Sequence, residues 1–241
     1  MQRFANPRLF LSMSGAILPW LKPATALALL AGAYLALVVA PADYQQGDTV
    51  RIMFFHVPAA SLSIAIYGMM AAASLVAWIW GHRVADLFAR AAAPIGALYT
   101  ALALFSGALW GKPMWGTYWV WDARITSETV LLFLYLGYIA IWEMIDEPVR
   151  AAKAARIVAL VGAVNLPIIK FSVDWWTTLH QPASLMKLDG PAIHESMLWP
   201  LGVMWLGFAL FFATVVLMRT RIEIYRLKAH MKAMRLVEAA S

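Results

Sequence analysis

Cysteine is absent from the chain. That excludes disulfides, thiolate-held zinc and iron–sulfur clusters. It also excludes the C-x-x-C-H attachment motif, so the chain is not itself a c-type cytochrome. Charge is scarce as well: 13% of the 241 residues are Asp, Glu, Lys or Arg, against about 25% in soluble domains. The sequence has no G-x-x-x-x-G-K-[ST] run, so any use of ATP would belong to a partner. There is no internal repeat, low-complexity tract or stretch that reads as a soluble domain. What is abundant is apolar surface, with 63% of residues hydrophobic. The bilayer is therefore the solvent to reason about.

A crossing needs about 20 apolar residues. Six runs qualify, near 24–42, 54–80, 91–110, 128–145, 156–176 and 198–218. The expected fold is thus all-α: one domain over 1–241 with six transmembrane helices. The second run is longer than a crossing requires. The fifth is the weakest, since it holds Asn165, Pro167, Lys170 and Asp174. The first, with a 22-residue lead, reads as a retained helix rather than a cleaved secretory signal. The net charge of +6 does not argue for nucleic acid, because the cations flank the apolar runs. Fourteen of the nineteen Lys and Arg fall in the N-terminus, the second and fourth loops and the C-terminal tail. Only Arg51, Lys112, Arg124 and Lys187 fall in the odd loops, and Lys170 lies within a span. Both termini are therefore expected in the cytoplasm, with the odd loops outside. The tail from Arg219 to Arg235 is expected to form a basic helix along the inner surface.

The third loop, on the outer side and read as 110–127, concentrates aromatic rings. Trp110, Trp115, Tyr118, Trp119 and Trp121 fall among Gly111, Pro113 and Gly116. An interfacial belt uses one or two such residues per helix end. Five in one loop suggest a flat apolar platform for a planar conjugated ligand. Three histidines share that side. His56 opens the second helix, and His180 follows Trp175 and Trp176. His194 lies near Asp189-Gly190-Pro191, a turn signal, and reads as an exposed loop residue. His56 and His180 come to a common depth, and neutral imidazoles are good axial ligands for heme iron. His82 and His230 read as solvated residues on the inner side. The three outer histidines could together hold zinc, but zinc would leave the tryptophans unexplained. Asp122 or Thr126 is positioned to cap the fourth helix. Arg124 could pair with a heme propionate, or form a local ion pair with Asp122 or Glu128. Lys170 and Asp174 lie one turn apart near the outer end of their span and read as structural.

The run Trp115-Gly-Thr-Tyr-Trp-Val-Trp-Asp-Ala-Arg-Ile-Thr-Ser-Glu128 closely resembles the tryptophan-rich (WWD) signature of the heme-handling proteins of cytochrome c biogenesis. Within them the chain is similar to the heme exporter C family, CcmC. The motifs at 40–46, 56–60, 165–169 and 175–181 fit it too. Tyr118 stands where relatives often have Trp. The likeness covers residues 41–181 well and the ends poorly. It implies non-covalent heme b with His56 and His180 as axial ligands. It further implies heme contacts over residues 115–122, with Trp115, Tyr118, Trp119, Trp121, Asp122 and Arg124 as the binding set. The implied place is the outer, periplasmic face of a bacterial inner membrane. The implied partners are the heme chaperone CcmE, the small membrane protein CcmD and the ATP-binding cassette subunits CcmA and CcmB. The expected function is delivery of heme to CcmE during cytochrome c maturation. A transmembrane heme channel and a membrane electron carrier with heme b are the competing readings. The enzyme question stays open: covalent attachment of heme to the chaperone could occur on this surface, but no nucleophile–base pair is evident.

Overall fold

The computed structural model describes residues 6–180 and 193–240. Among the described residues helix predominates, and six helical segments are long and apolar enough to cross a membrane. Several starts are written locally. Asn6 caps α1 (Pro7–Tyr34), accepting from the Arg8 N–H at 2.9 Å, with Pro7 at the first helical position. A π turn, Leu35–Val39, closes it. A short 3₁₀ turn, Asp48–Ile52, leads into α2 (Met53–Trp80). Two residues then reverse the chain. Gly81 takes a φ of 62° that suits glycine, and the His82 ring accepts from the Ala85 N–H at the start of α3 (Arg83–Trp115). α4 is Ala123–Met144. The fifth crossing is split into α5 (Pro148–Gly162) and α6 (Asn165–Trp175). Glu147 caps α5, and Pro148 sits at its first helical position.

Small residues let the helices meet closely, as lipid-embedded packing requires. At Gly32 an added Cβ would lie 3.0 Å from the Met204 backbone, and at Gly96 it would enter the Tyr135 ring. The buried tyrosines then tie helices together through their hydroxyls. Tyr67 donates to Val158 O at 3.0 Å, Tyr99 to Phe208 O at 2.7 Å and Tyr135 to Ser63 O at 2.6 Å. Each such bond contributes on the order of 0.6 kcal/mol in a membrane protein. At the end of the bundle that holds both chain termini, Arg156 grips Asp86 bidentately at 2.6 and 2.8 Å.

Several expected boundaries move. The first helix begins at Pro7, so most of the supposed polar lead is helical. α3 runs on to Trp115, which puts Trp110 and Trp115 on its last turns; the tryptophan-rich loop proper is 116–122. α7 (Glu195–Ala240) is one unbroken helix of 46 residues, about 69 Å at 1.5 Å per residue. That is more than twice the ~30 Å hydrocarbon thickness. The basic tail therefore prolongs the last crossing instead of forming a separate surface helix.

Candidate functional site

The two outer histidines come to one cavity. His56, on the first turn of α2, and His180, just beyond α6, both line it. Ala60, Ala103, Leu104, Gly107, Ala108 and Ile125 make its walls apolar, and Trp119, Arg124 and Glu128 complete the lining. Its free volume is about 60 Å³, enough for a few water molecules.

Both imidazoles are held by the same nitrogen. His56 Nδ1 donates to Ala103 O at 3.0 Å, with Ser106 Oγ at 3.1 Å. Gly107 makes room for this ring: a Cβ there would lie 3.0 Å from His56 Cε1. His180 Nδ1 donates to Asp122 Oδ2 at 3.2 Å. In each ring Nδ1 therefore carries the proton and Nε2 keeps its lone pair. Among the described residues no bond engages either Nε2. Metal-binding histidines are oriented in this way, by a carbonyl or a carboxylate on the second ring nitrogen. Burial lowers the His180 pKa from its ordinary value, against the opposing pull of the Asp122 hydrogen bond and charge. The ring is thus neutral at physiological pH.

Asp122 is the joint of the site. Its Oδ1 accepts from the Ile125 N–H at 2.8 Å and caps α4, so of the two expected caps it is Asp122, not Thr126. Its Oδ2 also accepts from the Leu179 N–H at 3.3 Å. One carboxylate thereby joins the tryptophan loop, the start of α4 and the His180 segment. Arg124 makes neither expected ion pair; its Nη1 donates to Ile169 O at 2.8 Å, tying α4 to α6. Glu128 is buried and accepts from Ser63 Oγ at 2.9 Å.

The aromatic residues divide. Trp115 meets the His180 ring edge-on at 4.8 Å, and Trp110 meets His56 at 5.8 Å. The Trp110 indole N–H donates to Gln46 Oε1 at 2.9 Å, which fastens the first outer loop to the site. Trp119 enters the cavity wall, and its indole N–H is buried without an acceptor among the described residues. Tyr118 and Trp121 are exposed: Tyr118 lies under Lys112 Nζ, and Trp121 packs edge-on to Trp119 at 5.2 Å. His194 stands apart and binds Ser196 at the start of α7. Among the described residues no group of three His, Cys, Asp or Glu is placed to hold a metal ion. Lys170 and Asp174 are exposed, and no ion pair joins them. Residues 181–192, with Lys187 and the Asp189-Gly190-Pro191 turn, lie outside the described residues.

The sequence reading did not single out Ser106, Gly107, Ser63 or the Ala103 carbonyl. Gly107 and Gly111, one turn apart on α3, were the available sign that something packs closely there.

Fold and site together define a multi-pass helical membrane protein built around a histidine pair near one end of its bundle. The chain belongs to the heme exporter protein C family, whose pattern matches residues 1–235. It is 55% identical to the heme exporter protein C of Bradyrhizobium diazoefficiens, over 92% of this chain and 84% of that protein. The Escherichia coli K12 protein of the same name is 49% identical, over 89% and 86%. That of Haemophilus influenzae is 46% identical, over 92% and 91%.

Proposed function

We propose that this chain holds heme between His56 and His180 at the outer face of the inner membrane and passes it to the periplasmic chaperone CcmE for cytochrome c maturation. The observation that carries the reading is the shared cavity, in which both imidazoles are fixed through Nδ1 and both Nε2 atoms remain available to iron. One of these ligands lies on α2 and the other just beyond α6, and together they would hold the iron. The ligand's carboxylates suit Arg124 and the unpartnered Trp119 N–H. The cavity of about 60 Å³ is far below the roughly 300–1,000 Å³ of pockets that enclose drug-sized ligands. Holding a macrocycle here would therefore require the 116–122 loop to stand further out than it does around this cavity. CcmD and the ATP-using CcmA and CcmB are the expected associates, since this chain has no nucleotide motif of its own. The distribution of Lys and Arg supports a periplasmic exposure of the site.

The protein purified in detergent should show a Soret band with split low-spin bands. Crosslinkers at Lys112 and Thr117 should trap a heme-carrying periplasmic partner. A heme-free preparation that binds no added heme would defeat the heme reading. Normal delivery with no partner captured would defeat the docking face alone.

A further inference from the structure

A second cavity lies far from the histidines, along the seam between α1 and α7. It is an open groove of about 530 Å³. One wall is Gly15, Leu18, Pro19 and Lys22 of α1; the other is Met218, Arg221, Ile222 and Tyr225 of α7. The two helices run antiparallel. Thr25 and Thr214 meet hydroxyl to hydroxyl at 2.7 Å, and Arg221 reaches Leu11 and Ser14.

The groove's depth follows from charge. Residues 196–218 of α7 contain no Asp, Glu, Lys or Arg. At 1.5 Å per residue they span about 34 Å, one hydrocarbon thickness. Arg219 and Arg221 end that band. The groove straddles this edge, at the level of lipid headgroups in the leaflet nearest the termini. Lys22 lies on the apolar side and within snorkelling reach of it.

The cations are placed, not merely present. Arg221 Nη1 donates to Leu11 O at 2.6 Å and to the buried Ser14 Oγ at 2.9 Å. Gly15 allows this approach, since a Cβ there would touch Arg221 Nη1 at 3.4 Å. The guanidinium is thus fixed against α1, with donors left over. Lys22 faces the same groove, and no carboxylate lines it. Leu18, Pro19, Met218 and Ile222 give it an apolar floor. Cations over an apolar floor between helices on the cytoplasmic side are the chemistry that selects an anionic lipid.

We infer that the α1–α7 groove binds an anionic phospholipid, its phosphate between Lys22 and Arg221 and an acyl chain along Leu18 and Met218. The site is independent of heme.

The full-length protein would be studied by native mass spectrometry with phosphatidylglycerol, cardiolipin and phosphatidylcholine. Anionic lipid should be retained preferentially, and inorganic phosphate should not displace it. Lys22→Gln should lower retention about fivefold, the loss expected for one cation near the surface. Arg221→Gln should do the same; because it also loosens α1 from α7, Lys22→Gln is the cleaner variant. Arg235→Gln, on the tail, should change nothing. Equal retention of all three lipids, or equal losses from Lys22→Gln and Arg235→Gln, would overturn the assignment. So would displacement by inorganic phosphate, which would make the site one for free anions.

Discussion

At the scale of single residues, the two histidines are held alike but by unequal partners. His56 is set by a backbone carbonyl that no substitution removes, and His180 by the carboxylate of Asp122. His56→Ala or His180→Ala should therefore break six-coordinate ligation, with added imidazole partly restoring the low-spin spectrum. A normal spectrum at full occupancy in both variants would sink the axial assignment, and His194 would be tested next. Asp122→Asn probes the support rather than the ligand. Asn caps a helix about as well as Asp, so α4 should start unchanged while the His180 ring loses its carboxylate partner. Loss of such a partner weakens metal binding by roughly 10–100-fold; titration with heme checks this. The His180 pKa adds a pH test. It is lowered by burial, below its unfolded value of about 6.5. The folded state thus favours the neutral ring. Its contribution to stability is fully present above about pH 6.5 and is lost as the pH falls through the folded value. Ligation by His180 should accordingly persist to more acid pH than a solvated histidine allows. A low-spin spectrum that collapses with a midpoint at or above 6.5 would contradict this.

At the scale of elements, the tryptophan loop is a short strap between two well-capped helices. Gly116 ends α3 with a φ of 77°, a conformation that costs other residues roughly 1–2 kcal/mol. Gly116→Ala should lower the thermal midpoint and, by re-aiming the strap, heme retention as well. If retention is unchanged, the start of the strap does not place Trp119. The two loop tryptophans should differ. Trp119 lines the cavity and Trp121 is 68% exposed, so Trp119→Ala should weaken heme binding while Trp121→Ala spares it and impairs transfer. Equal effects on binding would mean that the loop closes differently over its cargo. This division was invisible in the sequence, where residues 115–122 look uniformly aromatic; which ring turns inward depends on where α3 ends. The end was hidden because Trp110-Gly-Lys-Pro-Met-Trp115 reads as a loop, yet Pro113 is accommodated within α3. By contrast, the six crossings were legible, because long, predominantly apolar runs of about 20 residues cross a bilayer as helices. His56 and His180 line one cavity, where the sequence offered only the expectation that both lie at the outer ends of their crossings. Asp122 was legible as a cap from its place before α4. Its grip on His180 was not, because it joins residues 58 positions apart.

At the scale of the whole molecule, everything turns on which end faces out. An even number of crossings puts the two termini on one side and the histidine cavity on the other. The proposed orientation rests on the cations. They crowd the terminal end and are sparse around the cavity, the pattern expected of a cavity that faces outward. Ion pairs occur at both ends: Arg156–Asp86 and Arg90–Glu223 at the terminal end, and Arg51–Asp48 at the site end. Reporter enzymes that work only outside the cytoplasm should be active when fused near Gln46, Pro113 or Asp189. They should be silent near Arg83, Lys153 or Lys228. Activity at Lys228 but not at Pro113 would invert the protein and turn the cavity toward the cytoplasm, where a periplasmic chaperone cannot reach it. Activity at both would mean an odd number of crossings. The place to look would then be Ala163 and Val164, where the fifth crossing is divided between α5 and α6. If that crossing failed to pass through the bilayer, His180 would lie on the side opposite His56, and one heme could not join them.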